Sequence, residues 1–252
     1  MTTQLEKADA FKALHEGETF IIPNPWDAGS AVQLQEAGFK ALATTSAGFA
    51  WTLGRKDGEV SLEEKLGHIR ALSAATDIPL NADFENGFAD SPEVAAANII
   101  RAAEAGAVGA SIEDWSRSAI YDFDLAVERV AACAEAVAKL PFPFMLTARS
   151  EGLLRQVADL DESIRRLQAF EKAGADVLYV PALKTLDEVK TVCDALSKPV
   201  NVLGVFIPTA TLDDYKKLGV GRVSVGGALA AHAKKAASHA MTQLAAGTFA
   251  WD

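Results

Sequence analysis

The residues of this chain best equipped for bond-breaking chemistry gather just after short apolar runs. Asp83, Glu85, Asn86 and Gly87 follow Ile78-Pro79-Leu80-Asn81-Ala82, Glu113 and Asp114 follow Ala107–Ile112, and Arg149 and Glu151 follow Phe142–Thr147. Clustered carboxylates with no His or Cys beside them suit a hard divalent cation such as Mg2+, with Mn2+ as the alternative. Asp83, Glu85 and Glu113 are the candidates to share such an ion; taken singly, each could equally cap a helix or pair with Arg149. Arg149 can grip a carboxylate through two parallel hydrogen bonds and oppose developing oxyanion charge. Thr44-Thr45-Ser46-Ala47-Gly48 offers backbone N–H groups for an anion, or else a plain helix cap and tight turn. Asn24, Trp26, Asp27, Asp57 and Asn201 fall at comparable positions.

Other reactive side chains read as structural. His15, His68, His232 and His239 all fall in expected helices, where packing or solvent-facing roles are the ordinary ones. Cys133 and Cys193 read as small core residues of helices. Lys184 could form a Schiff base, although a loop lysine is usually just solvated. Ser224-Val225-Gly226-Gly227 is either a phosphate cradle or a close-packed turn.

A recurring phrase identifies the elements that must position these groups. Glu36-Ala37-Gly38, Glu104-Ala105-Gly106, Lys172-Ala173-Gly174 and Lys217-Leu218-Gly219 each run into an apolar stretch. Each reads as a helix end, a glycine with positive φ, then a buried strand. Gly38, Gly106 and Gly174 are 68 residues apart, twice the roughly 34 of one strand–helix unit. Phe20–Pro23, Ile78–Ala82, Phe142–Thr147 and Val200–Leu203 supply the interleaved strands, giving eight, with helical periodicity between them. Continuous apolar strands alternating with helices predict a parallel sheet, and eight units in this length predict an α/β fold, a (β/α)8 TIM barrel. An additional helix over Thr3–Glu16 is expected to plug or cross its bottom. The active site is then expected at the C-terminal strand ends.

Composition limits the alternatives. The 252 residues are half apolar, with 24 Lys+Arg against 34 Asp+Glu and a net charge of −10. That is a folded chain, read as one domain over 1–252, and its acidity argues against a nucleic-acid partner. Two cysteines, no signal-like start and no long apolar run predict a cytoplasmic protein with no membrane partner. An anionic substrate would need a local positive field.

With these residues in place, the chain resembles the isocitrate lyase/phosphoenolpyruvate mutase superfamily, in particular its short branch, over Phe20 to about Phe249. The carrying stretches are Pro23–Ser30, Ala43–Gly48, Asn81–Gly87, Ser111–Asp114 and Leu146–Arg149. The resemblance implies a barrel with Mg2+ at the strand ends, binding a 2-oxo or 2-hydroxy acid. It also implies a homodimer or homotetramer that exchanges the last helix, about Ala228 to Ala246. It places Asp57 with Asp83 and Glu113 in the metal shell, Thr45, Ser46 and Ala47 on the substrate carboxylate, and Arg149 on the substrate. Asn81-Ala82-Asp83 stands where many members have Asp-Ala-Asp, with Glu85 as the replacement carboxylate. Trp115–Tyr121 lacks the Cys, Lys and His of the lyases and mutases, and Val180 or Pro181 stands where the phosphonate enzymes have His. These departures count against isocitrate cleavage by the usual route and against P–C chemistry.

The reading is therefore a Mg2+-dependent lyase or hydrolase that cleaves a C–C bond beside a 2-oxo acid, as in oxaloacetate decarboxylation. Arg149, Glu113, Tyr121 and Glu151 are the expected catalytic residues, the last two as proton carriers. Thr45, Ser46, Ala47, Asp57, Asn201 and Arg149 are expected to bind substrate, and Asp83, Glu85, Glu113 and Asp57 the ion. A P–C mutase or hydrolase, a silent metabolite-binding barrel and a Schiff-base aldolase through Lys184 are the rivals.

Overall fold

The computed structural model describes residues 2–250. In chain order its elements are α1 (Gln4–His15), β1 (Phe20–Ile22), α2 (Ala28–Glu36), β2 (Leu42–Ala43), α3 (Ser46–Thr52), α4 (Leu62–Ala75) and β3 (Leu80–Asp83). Next come α5 (Pro92–Glu104), β4 (Gly109–Glu113), α6 (Phe123–Val137), β5 (Met145–Arg149), α7 (Leu160–Lys172) and β6 (Val177–Tyr179). The chain closes with α8 (Leu186–Asp194), β7 (Val200–Leu203), α9 (Leu212–Lys217), β8 (Arg222–Ser224) and α10 (Ala228–Ala245). All eight strands are parallel, in the order β1-β8-β7-β6-β5-β4-β3-β2. One backbone bond from Ala43 N to Pro23 O (3.0 Å) draws β2 towards β1, so the sheet forms a nearly closed (β/α)8 barrel.

Local chemistry explains the boundaries. Gly38, Gly106, Gly174 and Gly219 all hold positive φ, ending α2, α5, α7 and α9 as the repeated phrase requires. Ser61 with Glu64 and Thr185 with Glu188 form capping boxes that start α4 and α8. Strands β3 and β5 begin two and three residues later than expected, at Leu80 and Met145. Pro79, Pro141 and Pro143 lack the N–H that ladder pairing needs.

Strand residues alternate between two environments. Ala82, Ala110, Ile112, Leu146, Ala148, Leu178, Val202 and Val223 face outward into the core shared with the helices. Their neighbours Asn81, Asp83, Ser111, Arg149, Asn201, Arg222 and Ser224 line a cavity inside the barrel. The strands are thus apolar on one face only; the expectation of continuous apolar strands holds for their outer face and fails for the inner one. Helix α1 plugs the bottom: Phe11 is fully buried against Ile22, Ala43, Val108, Met145 and Val177. No helix of the described residues is long and apolar enough to cross a membrane.

Candidate active site

The site is built on the last residues of adjacent strands. Glu113 ends β4 and pairs in register with Arg149, which ends β5; Asp83 ends β3. Arg149 Nη1 donates to Asp83 Oδ1 at 2.8 Å, and its Nε and Nη2 donate to Glu151 Oε1 at 3.1 and 2.7 Å. Nη2 also lies 3.3 Å from Glu113 Oε2. One guanidinium therefore sits among three carboxylates, Glu113 and Glu151 buried and Asp83 half-buried. Burial opposes its charge, but Glu151, Glu113 and Asp83 outweigh it and hold Arg149 well above its ordinary value. Burial would likewise lift Asp83, yet Arg149, Lys65 and the Ser46 amide keep its carboxyl below the usual range. Glu113 goes the other way: burial raises it well above that range, and Arg149 offsets this only in part.

The wall behind Asp83 carries a cation that the sequence reading missed. Lys65 on α4 is 1% exposed and donates from Nζ to Thr44 Oγ1 at 3.1 Å. That hydroxyl oxygen also accepts from Asp83 N at 2.8 Å. Burial lowers the Lys65 ammonium, while Asp83, Glu85 and Asp57 draw it back up. The signal was present in the sequence, since Lys65 falls on the same helical stripe as Leu62, Ile69 and Leu72.

Glu85 opens the turn after β3. Its φ of +48°, with +57° at Phe88 and +76° at Arg117, places three non-glycine residues in the left-handed region around one site. Such backbone costs of order 1–3 kcal/mol each and persists where the surroundings fix it. Here Arg129 donates to the carbonyls of Asn86, Ala89 and Asp90, clamping the turn from below. The loop after β4 is a small hairpin closed by a Trp115–Ile120 bridge, and from it Arg117 reaches Glu85 Oε2 at 2.9 Å. The other oxygen, Oε1, is buried without a partner, and burial raises the group despite Arg117.

A cavity of about 170 Å3 opens among these strand ends. Of the residues expected from sequence, Thr45, Ser46, Ala47, Asp57, Asp83, Arg149 and Asn201 line it; Glu85, Glu113, Glu151 and Tyr121 do not. Glu113 and Glu151 stand behind Arg149 as its anchors. The Tyr121 hydroxyl is spent on structure, donating to Asp90 Oδ1 at 2.5 Å and accepting from Asn86 Nδ2 at 2.9 Å. Thr45 caps α3 and the Ser46 N–H is taken by Asp83 Oδ2 at 3.0 Å, so that turn serves the protein first. The Val225 and Gly226 amides are likewise filled by Asn24 Oδ1, at 2.9 and 2.8 Å, which makes this segment a close-packed turn.

The remaining candidates fall outside. Lys184 is exposed and away from the cavity. His68 is stacked on Phe49 at 3.8 Å and donates to Trp26 O, with burial pushing it down to about 3. Burial pushes the Cys133 and Cys193 thiols up to about 12 and 11, so neither is a ready thiolate. Larger hollows of about 620 and 710 Å3 lie at the opposite end, around Gly17–Thr19 and α1. Position at the C-terminal strand ends, not size, selects the smaller one.

The donor set fits a hard cation: Asp83, Glu85, Glu113 and Asp57 offer only oxygen, and the buried Glu85 Oε1 lacks a partner. In this arrangement, however, Asp83 and Glu113 are turned towards Arg149 and Glu85 towards Arg117. Among the described residues no three His, Cys, Asp or Glu side chains are arranged to hold a metal ion.

The family model described as phosphoenolpyruvate phosphomutase matches residues 11–245. The chain belongs to this family. A solved Burkholderia cenocepacia J2315 structure, described only as a lyase/mutase, is 50% identical and superposes with a TM-score of 0.94, covering 98% of this chain and 90% of that one. A solved 2,3-dimethylmalate lyase of the PEP mutase/isocitrate lyase superfamily is 26% identical, with a TM-score of 0.88 over 100% of this chain and 91% of its own. Oxaloacetate decarboxylase of Rhodopseudomonas palustris (strain BisB18) is 29% identical over 75% of this chain and 67% of its own length. The protein is an enzyme of the isocitrate lyase/PEP mutase superfamily.

Proposed function

We propose that this enzyme cleaves a carbon–carbon bond beside the carbonyl of a small 2-oxo acid, of the oxaloacetate class, with Mg2+. The observation that carries this reading is the Arg149 guanidinium, fixed among Asp83, Glu113 and Glu151 and opening into a cavity of about 170 Å3. Drug-sized ligands occupy roughly 300–1,000 Å3, so a cavity this small suits an acid of a few heavy atoms. The activities of the 2,3-dimethylmalate lyase and of the oxaloacetate decarboxylase support the same bond class.

Arg149 binds the substrate carboxylate and opposes the negative charge that grows on the carbonyl oxygen as the bond breaks. Glu151, buried and bonded to two nitrogens of Arg149, fixes the plane of the guanidinium. Asp83 and Glu85 would hold the cation, with Glu113 and Asp57 beside them. When bound, Mg2+ would supply Lewis-acid polarisation of the substrate carbonyl. The Thr45–Ala47 turn and Asn201 border the substrate from the α3 and β7 sides.

The test is a panel of 2-oxo acids assayed with Mg2+ and again after EDTA. Pyruvate release from oxaloacetate that EDTA abolishes is the expected outcome. Phosphate release from phosphonopyruvate, with oxaloacetate left intact, would move the enzyme to the P–C branch. Turnover that survives EDTA and is blocked by borohydride would replace the metal reading with a Schiff base.

A further inference from the structure

Barrel interiors of this fold are ordinarily filled by layers of Val, Ile and Leu. Here that apolar filling is confined to the bottom layer, where Phe11 meets Ile22, Val108, Met145 and Val177. Above it, and below Asp83 and Arg149, the inward positions include Asn81, Ser111, Thr147, Asn201, Ser224 and Arg222, and the cavity descends to Arg222. Arg222 is the first residue of β8, at the bottom of the strand, and is 3% exposed.

Its charge has no counter-ion. No carboxylate lies within 4.0 Å of Arg222 among the described residues. Its partners are neutral: Nε donates to Asn201 Oδ1 at 2.8 Å, Nη2 to Thr147 Oγ1 at 2.9 Å, and Nη1 meets His15 Nε2 at 3.1 Å. His15 Nδ1 contacts Phe11 O at 2.8 Å, which makes Nδ1 the protonated nitrogen and Nε2 the acceptor. Burial, with Arg222 beside it, lowers His15 to about 3, so it adds no second charge. A guanidinium has five N–H donors, and these contacts use three. Arg149, by contrast, is ringed by three carboxylates. Beside the same shaft, Asn81 is 2% exposed and its Oδ1 has no partner, while its Nδ2 reaches only Ala82 O at 3.5 Å.

An isolated charge held out of water costs several kcal/mol unless something compensates it. Arg222 is aimed into a cavity, Asn81 is a second unsatisfied group on that cavity's wall, and α1 closes the bottom. We propose that the shaft below the catalytic rim is a carboxylate-binding site with Arg222 at its base. Its occupant is either the far carboxylate of a dicarboxylate substrate, standing on end beneath Arg149, or a separate small carboxylate such as formate. The first source rests on the 2-oxo acid reading above; the second is independent of it.

The experiment compares wild type with Arg222→Gln by calorimetry in Mg2+, using oxalate, malonate, succinate and formate at matched ionic strength. Loss of tenfold or more for succinate, with oxalate unchanged within twofold, identifies the far carboxylate of the substrate. Loss of formate binding alone identifies a separate anion. Unchanged affinity for all four overturns the proposal. Should Arg222→Gln fail to fold, crystals of wild type grown with succinate or formate decide: carboxylate density on Arg222 supports the site, and water alone refutes it. If no diacid, oxalate included, binds wild type, the 2-oxo acid reading fails, while the formate arm still judges the shaft.

Discussion

Arg149→Met removes the one cation that the buried Glu113 and Glu151 and the half-buried Asp83 share, and keeps most of the side-chain volume. Asp83, Glu113 and Glu151 sit 2.7–3.3 Å from its nitrogens. Breaking a buried ion pair by deleting one partner costs about 3–5 kcal/mol. At about 2.1 cal/mol/K per residue, the unfolding entropy of this chain near its midpoint is about 0.5 kcal/mol/K. The midpoint should therefore fall by about 6–10 °C near neutral pH. The loss must also depend on pH. In wild type Asp83 lies below its unfolded value, so its contribution is present above that value and fades as pH falls. Without Arg149, burial lifts Asp83 above its unfolded value and Glu113 further above its own. Stability is then fully retained below about pH 4 and lost as pH rises through the folded values. The gap between variant and wild type should be narrow in acid and widest near neutrality. Mg2+ should restore more stability to the variant than to wild type, because the freed carboxylates face the ion without a competing guanidinium. Thermal unfolding from about pH 5 to about pH 8, with and without Mg2+, reads both effects. A gap that is constant with pH, or a variant indifferent to Mg2+, would refute this account of the cluster.

Two further outcomes are expected. Tyr121→Phe should cost about 1–3 kcal/mol through loss of the Asp90 and Asn86 bonds. Its kcat should stay within about twofold, far from the roughly 10²–10⁴ loss expected of a proton carrier; a loss of that size would return Tyr121 to the chemistry. The α10 helix buries only Ala230 and, with the segment after it, leaves Met241, Leu244 and Phe249 at 65, 45 and 81% exposure. We propose that a second copy covers it. Light scattering should give a multiple of the chain mass, falling towards one chain in a Met241→Glu, Leu244→Glu double variant; a wild-type monomer would exclude it.

What could be read from the sequence, and what could not, follows from where signals are local. The Ala-Gly phrases marked helix ends and strand starts because the positive φ of Gly106 and Gly174 is a backbone requirement that neighbours cannot supply. Asp83, Arg149 and Asn201 were legible as cavity residues because polar groups at the ends of apolar strands have one place to go in a barrel. The roles of Glu113, Glu151 and Tyr121 were harder, because a strand end fixes a Cα and not the direction of a long side chain. Glu113 and Glu151 turn onto Arg149 and away from the cavity.

Lys65 and Arg222 were missed for a different reason: each is a charge inside an apolar pattern, and averaging over the pattern hides it. Read with period two, Arg222 and Ser224 share a face, as do Asn81 and Asp83, Thr147 and Arg149. The strands are thus apolar towards the helices and polar towards the axis. That alternation links the fold to the electrostatics of an acidic protein whose proposed substrate is itself an acid. A net charge of −10 repels anions at long range, but screening confines this to about 10 Å at ordinary salt. Arg222 inside the barrel and Lys65 on the wall behind Asp83 are held out of water, and Arg149 is largely so, which leaves their fields screened far less. Of the carboxylates that would hold a cation, Asp83 and Glu113 meet Arg149 and Glu85 meets Arg117, and none pairs with Arg222. The positive field that an anionic substrate requires is therefore in the interior of the barrel, at its rim and at its base.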